Sequence, residues 1–146
     1  MPRILAVDWG ERRIGLAVCD PTGTVASGLR TLVVGGASDA IAQAAGAARE
    51  VEADSIVVGL PLLLSGERGA AAIAAEKFAD GLAKATGLPV ATYDERLTSA
   101  LASRRMHERG ERRRNKCRVD QDAAIALLES WLQKLAADRQ RGGGRP

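Results

Sequence analysis

The chain has few aromatic residues and almost no histidine or cysteine. Aromatic side chains make up 3% of its 146 residues, while hydrophobic residues make up 46%, so the core must consist mainly of Ala, Val, Leu and Ile. The single histidine, His107, and the two cysteines, Cys19 and Cys117, form no closely spaced cluster. Their spacing argues against a zinc site and against a histidine-based catalytic triad.

Long apolar runs and a secretory signal are also missing. No run approaches the roughly 20 residues that a membrane-spanning helix needs, so no membrane partner is expected. Two isolated cysteines without a signal peptide predict reduced thiols and a cytoplasmic location. The length predicts one domain, residues 1–138, followed by a disordered Gly/Arg-rich tail at 139–146.

Positive charge is concentrated in one segment. The net charge is only +3, with a pI of about 9.2, but residues 104–118 contain eight Lys or Arg and two acids. Such a block predicts a polyanionic partner such as nucleic acid. The alternative is a solvated loop without a partner, and charge alone does not decide between the two.

The hydrophobic pattern predicts an α/β fold. Three strands joined by short turns form an antiparallel meander, and a βαβαβ unit follows, which gives a mixed five-stranded sheet flanked by helices. Ser38 or Asp39 is a candidate N-cap for the first helix, and Gly87 ends the second. The predicted strands are 3–9, 13–20, 24–34, 55–61 and 88–95. The first helix is predicted from helical spacing of apolar residues between Ile41 and Val51, the other predicted helices are 70–86, 97–110 and 120–137, and the predicted loops are 63–69 and 111–118.

Three acids follow strands that reach the same edge of the predicted sheet. Asp8 ends the first strand, and Asp94 and Glu95 end the fifth. If these strands are parallel, their carboxyl ends share the edge at which open α/β folds bind ligands. Ion pairing with nearby arginines is an alternative role for Asp94 and Glu95, whereas a buried strand that runs into Asp8 has few structural explanations.

Asp120 is the fourth candidate acid. It precedes Ala124 by four residues and Leu127 by seven, which places it on the apolar stripe of the last helix. A role as the N-cap of that helix is the alternative. Inward carboxylates repel each other unless cations lie between them. A pair of Mg²⁺ ions held by such acids is a common apparatus for hydrolysing phosphodiester bonds.

Four stretches of the sequence carry a resemblance to a known family. They are VDWGERRIGLAVCDPTG (7–23), IVVGLPLLLSGERG (56–69), LPVATYDERLTS (88–99) and KCRVDQDAA (116–124). Together they resemble the YqgF (RuvX) family of pre-16S rRNA nucleases and Holliday-junction-resolvase-like proteins. The resemblance extends over most of residues 3–135.

The resemblance implies an RNase H-like fold and a nuclease that uses Mg²⁺ or Mn²⁺ on structured nucleic acid. It implies Asp8, Glu95 and Asp120 as catalytic and metal-binding acids. Asp94 remains a catalytic candidate, since alternation along a strand puts Asp94 and Glu95 on opposite faces and the sequence does not decide between them. Many RNase H-like nucleases carry an acid after the fourth strand, where this chain has GLP (59–61).

Basic residues near these acids are predicted to bind the nucleic acid backbone. The turn after the first strand brings Arg12 and Arg13 to the same edge, although simple solvation of the turn would also explain them. Loss of one arginine from the basic segment should weaken binding and reduce its salt dependence. The candidate nucleic-acid-binding residues are Arg12, Arg13, Arg96, Arg112, Arg113, Arg114, Lys116 and Arg118.

Processing of the 5′ end of pre-16S rRNA is the preferred function, on the implication of the family. The alternatives are a Holliday junction resolvase, which would need a two-fold homodimer to make paired cuts, and a non-catalytic nucleic-acid-binding factor. The stretch DWGERRIG also resembles the phosphate-binding hairpin of sugar kinases and actin-like ATPases. Those proteins need a second, similar domain, for which this chain is too short.

Overall fold

The fold is a mixed five-stranded sheet with helices on both faces. The structure, a computed structural model, describes residues 3–61, 65, 69–95 and 116–141, and within the last range the side chains of residues 120–140. Its elements are β1 (Ile4–Asp8), β2 (Arg13–Cys19), β3 (Ala26–Val33), α1 (Ala37–Glu50), β4 (Ser55–Leu60), α2 (Ala70–Thr86), β5 (Val90–Asp94) and α3 (Lys116–Arg141).

The strand order across the sheet is β3-β2-β1-β4-β5. The pairs β1–β2 and β2–β3 are antiparallel, and the pairs β1–β4 and β4–β5 are parallel. This is the predicted meander followed by a βαβαβ unit. Strand β1 lies at the centre, so its carboxyl end meets those of β4 and β5 at one edge of the sheet.

Side chains of the central strands alternate between two apolar layers. Leu5 and Val7 of β1 pack with residues of α1 and α2, whereas Ile4 and Ala6 pack with residues of α3. Because both faces are covered, β1 is buried along its whole length, which accounts for its nearly continuous apolar sequence. The two faces of the sheet are named below the α1/α2 face and the α3 face.

The turn between β2 and β3 is organised by Asp20. Its carboxylate accepts hydrogen bonds from the hydroxyl of Thr22 and from the backbone amides of Val25 and Thr24. These bonds stabilise the charged form and lower the pKa of Asp20 to about 2. The predicted turn at DPTG is therefore confirmed.

Helix α1 begins earlier than its sequence suggests. Its N-cap is Gly36, which makes no side-chain capping bond, so the prediction of Ser38 or Asp39 as the N-cap is wrong. Asp39 instead lies in the first turn, where its carboxylate accepts a hydrogen bond from the backbone N–H of Gly35. The carboxylate thus binds, from inside the helix, the amide of the residue that precedes the N-cap. Helix α2 ends at Gly87 as predicted.

Helix α3 is longer than predicted at both ends. It begins at Lys116 instead of Asp120 and ends at Arg141 instead of Ala137, so residues 116–118 are not loop and residues 139–141 are not disordered. Lys, Arg and Gln have good helix propensity and need no apolar contact to continue a helix. The predicted helix at 97–110, most of the predicted loops at 63–69 and 111–118, and tail residues 142–146 lie outside the described residues. None of the described helices is long and apolar enough to cross a membrane.

Helix α3 lies directly on β2 at Gly15. A Cβ atom built on Gly15 would lie 2.0 Å from the backbone carbonyl oxygen of Asp120. A contact with backbone cannot be relieved by rotating a side chain. Gly15 therefore sets how closely α3 approaches the sheet.

We predict that Gly15→Ala destabilises the protein by about 1–3 kcal/mol, because α3 must shift to admit the methyl group. The matched control is Gly46→Ala in α1, where an added Cβ meets nothing within 4 Å. That change should stabilise the protein by about 0.5–1 kcal/mol. Urea unfolding of the two variants measures the contrast, and equal stabilities would contradict the proposed contact.

Candidate active site

Asp8 is the central acid of the candidate site. It is the last residue of β1 and is only 1% exposed. It pairs across the sheet with Gly15 of β2. Because Ile4 and Ala6 pack on the α3 face, the alternation of the strand directs the Asp8 side chain to that face as well.

Asp120 lies over Gly15, the residue that pairs with Asp8 across the sheet. Its backbone oxygen is the atom that lies over Gly15. Since α3 begins at Lys116, Asp120 lies in the second turn and is not the N-cap, so that alternative is excluded. Its side chain is 13% exposed and accepts a hydrogen bond at Oδ2 from Nε of Arg13, at 2.8 Å.

Glu95 approaches Asp8 from the other side. It follows β5 and is 3% exposed. The register of β1 and β4 pairs Val7 with Val58, and its continuation by one residue places Asp8 beside Gly59. A Cβ on Gly59 would lie 2.7 Å from Oε1 of Glu95, so the Glu95 side chain occupies the space that a side chain on β4 would fill. Its carboxylate therefore lies beside the end of β4, the strand after which many RNase H-like nucleases carry an acid and this chain has none.

Asp94 belongs to the opposite face. It pairs with Leu60 of β4 at the end of β5. The preceding residue, Tyr93, makes an edge-to-face ring contact with Trp131 of α3, with ring centroids 5.4 Å apart. Alternation therefore directs Asp94 toward the α1/α2 face. The structure brings Asp8, Glu95 and Asp120 to one face of the sheet edge and separates Asp94 from them.

Two glycines make room for this arrangement, and their role was missed by sequence reasoning. Gly15 and Gly59 flank Asp8 on its two neighbouring strands, and neither has a side chain to cover it. The backbone of Asp120 lies over the first, and the side chain of Glu95 lies over the second. Glycine inside a strand often marks a close approach of another group, and this signal was available in RIGLAVC (13–19) and SIVVGL (55–60).

Comparison with known proteins assigns the chain to a family. Residues 2–134 match the model of the RuvX family, described as a Holliday junction resolvase. The chain belongs to the RuvX family. A relative from Kineococcus radiotolerans named "Putative pre-16S rRNA nuclease" is 43% identical over 145 residues, covering 97% of this chain and 74% of that protein. A relative of the same name from Koribacter versatilis is 41% identical over 140 residues, covering 94% and 91%.

Among solved structures, RuvC of Thermus thermophilus in complex with a Holliday junction substrate superposes with a TM-score of 0.59. The two are 17% identical, and the match covers 93% of this chain and 97% of that one. At this identity the likeness concerns the fold alone. The RuvX chain thus has the RNase H-like fold that its motifs implied.

The basic residues predicted to bind nucleic acid are only partly described. Arg12 is exposed in the turn after β1, and Arg13 is 37% exposed and paired with Asp120. A Cβ on Gly10 of the same turn would lie 2.3 Å from the carbonyl oxygen of Arg13, so the tight turn requires glycine there. Lys116 and Arg118 lie in the first turn of α3, with side chains outside the described residues. Arg96, Arg112, Arg113 and Arg114 lie wholly outside them.

The carboxylates fit a hard divalent cation in part. Within 3–61, 65, 69–95 and 116–141, no three His, Cys, Asp or Glu side chains are close enough to hold one metal ion together. Asp8 lies beside Gly59, which the Glu95 side chain covers, whereas Oδ2 of Asp120 is engaged by Arg13. Mg²⁺ is commonly bound by one or two carboxylates, water and substrate phosphate. The buried pair suits such binding.

A cavity of about 840 Å³ lies on the other side of β1. Trp9, Ile41 and Phe78 line it together with Lys77. Because Trp9 packs with the apolar cluster of α1 and α2, this cavity opens on the α1/α2 face and not on the face that holds the carboxylates. None of the candidate acids is among the residues that line this cavity.

We predict that Arg13 and Asp120 are coupled in stability by about 0.5–1 kcal/mol. The value is modest because Arg13 is more than a third exposed and solvent screens the pair. A double-mutant cycle of Arg13→Gln and Asp120→Asn, followed by urea unfolding, measures it. The coupling should shrink at high salt. A coupling of zero at low salt would show that the ion pair does not persist in solution.

Proposed function

We propose that this RuvX-family chain is a divalent-metal-dependent nuclease that hydrolyses phosphodiester bonds in structured nucleic acid. The observation that carries the proposal is the placement of Asp8, Glu95 and Asp120 on one face of the sheet edge, with Asp120 over Gly15 and Glu95 over Gly59. Asp8 at the end of β1 and Glu95 after β5 are both nearly fully buried, on either side of the end of β4. Burial of a carboxylate is costly, and a bound cation would offset that cost. A catalytic role for these acids would account for the cost of burying them at this edge.

Asp8 and Glu95 would hold Mg²⁺ or Mn²⁺, and Asp120 is the third candidate ligand. Bound there, the metal would activate water and stabilise the leaving oxygen of the phosphodiester. The protein contributes rigidity: Asp8 is fixed by the sheet, Glu95 by its contact over Gly59, and Asp120 by the second turn of α3. Asp94, on the opposite face, is not proposed to act in the reaction.

The proposed natural reaction is processing of the 5′ end of pre-16S rRNA, in the cytoplasm. Support comes from the names of the relatives that are about 40% identical to this chain. The exposed Arg12 and the basic segment before Asp120 would contact the phosphates of the RNA. Such contacts supply affinity that is insensitive to sequence and falls with salt.

Cleavage of four-way DNA junctions is the second candidate, favoured by the description of the family. It requires two active sites related by two-fold symmetry, and therefore a homodimer. A non-catalytic binding factor is the third. The three differ in their need for the acids and in their preference for RNA or DNA, so one experiment separates them.

We predict that Asp8→Asn leaves the protein folded and abolishes cleavage. The change removes a buried charge at nearly constant volume, so it should slightly stabilise the metal-free protein by reducing repulsion with Glu95. Wild type and variant should be tested with Mg²⁺ and Mn²⁺ on a labelled precursor of the 16S rRNA 5′ end and on a four-way DNA junction.

Metal-dependent cutting of the RNA by wild type alone is the expected result. Cutting of the junction alone would move the assignment to a resolvase. Tight, salt-sensitive binding by both proteins without any cutting would identify a non-catalytic factor. An Asp8→Asn protein that does not fold would show that Asp8 has a structural role.

We predict that Gly59→Ala lowers the cleavage rate by about 10²-fold, because a displacement of about 1 Å in a reacting group can have this effect. The added methyl would displace the end of the Glu95 side chain and no backbone atom, so stability should change little. Gly46→Ala is the control with no neighbour. Mn²⁺ titration gives a second readout, and unchanged rate and Mn²⁺ affinity would exclude a role for the position of Glu95.

A further inference from the structure

Arg13 binds Asp120 and is also partly exposed to solvent. Its Nε donates to Oδ2 of Asp120 at 2.8 Å, and its side chain is nevertheless 37% exposed. A guanidinium has five N–H donors in a planar fork. The bond to Asp120 uses the single donor on Nε, and within the described part of the chain no other hydrogen bond or ion pair of Arg13 is formed. Among the described residues, the four donors on the terminal nitrogens have no acceptor.

Arg13 lies at the edge of the sheet that carries the candidate site. Arg13 is the first residue of β2, two residues before Gly15 and on the same face. It therefore lies beside the point where α3 contacts the sheet and where Asp8 pairs with Gly15. The guanidinium therefore has a solvent-exposed side at the same sheet edge as the acids.

We propose that Arg13 is a positioning residue that bridges Asp120 and a phosphate of the bound nucleic acid. Its Nε edge holds the carboxylate, and its terminal nitrogens take the phosphate in the bidentate geometry that guanidinium favours. Seating of the nucleic acid backbone and placement of Asp120 are then coupled through one rigid plane. This inference rests on the proposed nuclease function, but the bridge itself can be measured by binding alone.

Charge by itself does not make such a bridge. Lysine carries the same charge, but it is a single point charge on a flexible stem, so it cannot hold both anions in a fixed relation. The proposal therefore distinguishes Arg13→Lys from Arg13→Gln. Arg30→Lys is the matched control: Arg30 also lies on the sheet and also pairs with a carboxylate, that of Glu50, but away from the acids.

The test combines binding and steady-state kinetics on the substrate that wild type cuts. Arg13→Lys should keep the Kd within about threefold of wild type and lower kcat at least tenfold, with KM nearly unchanged. Arg13→Gln should lower kcat, raise KM and reduce the slope of log K against log salt by about one, the loss of one phosphate contact. Arg30→Lys should change none of these.

Two results would overturn the bridge. If Arg13→Lys matches wild type in kcat and Kd, a positive charge is sufficient and no bridging geometry is needed. If both Arg13 variants lower only the melting temperature, the ion pair is purely structural.

Failure of the nuclease function has a different signature. If wild type binds but does not cut, the binding measurements in EDTA still test the bridge. The change in Kd caused by Asp120→Asn should then differ at least threefold between wild type and the Arg13→Lys variant. An unchanged salt slope in Arg13→Gln would overturn the proposal.

Discussion

The close approach of α3 to β2 over Gly15 is the constraint on which the rest of the site depends. It places the backbone of Asp120 on the strand that pairs with Asp8, 2.0 Å from where a Cβ on Gly15 would lie. Acids that are more than 110 positions apart in sequence thereby reach one sheet edge. Any larger residue at this position would move the helix and with it the carboxylate.

The electrostatics of the site follow from that packing. Asp8 and Glu95 are nearly completely buried, and the less buried Asp120 is paired with Arg13. Arg13 supplies the compensating charge that is visible among the described residues, and it does so at the side open to solvent. The carboxylates of Asp8 and Glu95 are suited to a cation, because Mg²⁺ prefers oxygen ligands.

Much of the architecture could be predicted from local pattern. The order of the described elements, the turn at DPTG and the end of α2 at Gly87 were all predicted correctly, since each depends on hydrophobic periodicity or on turn residues near in sequence. The errors lie at helix ends. The start of α1 at Gly36 and the extension of α3 to Lys116 and Arg141 depend on backbone geometry and propensity, which an apolar pattern does not report.

The sequence by itself determined the candidate acids and the edge to which they belong, because a strand that ends in a carboxylate and a helix with an acid on its apolar stripe are local patterns. Only the tertiary structure placed Glu95, and not Asp94, on the face that holds Asp8, since the contact of Glu95 over Gly59 joins two strands. It also gave Arg13 a carboxylate partner 107 positions away. Neither fact can be predicted from neighbouring residues in the sequence, because each depends on how closely two distant elements pack. In the sequence, that close packing is visible only as a glycine at the point of contact.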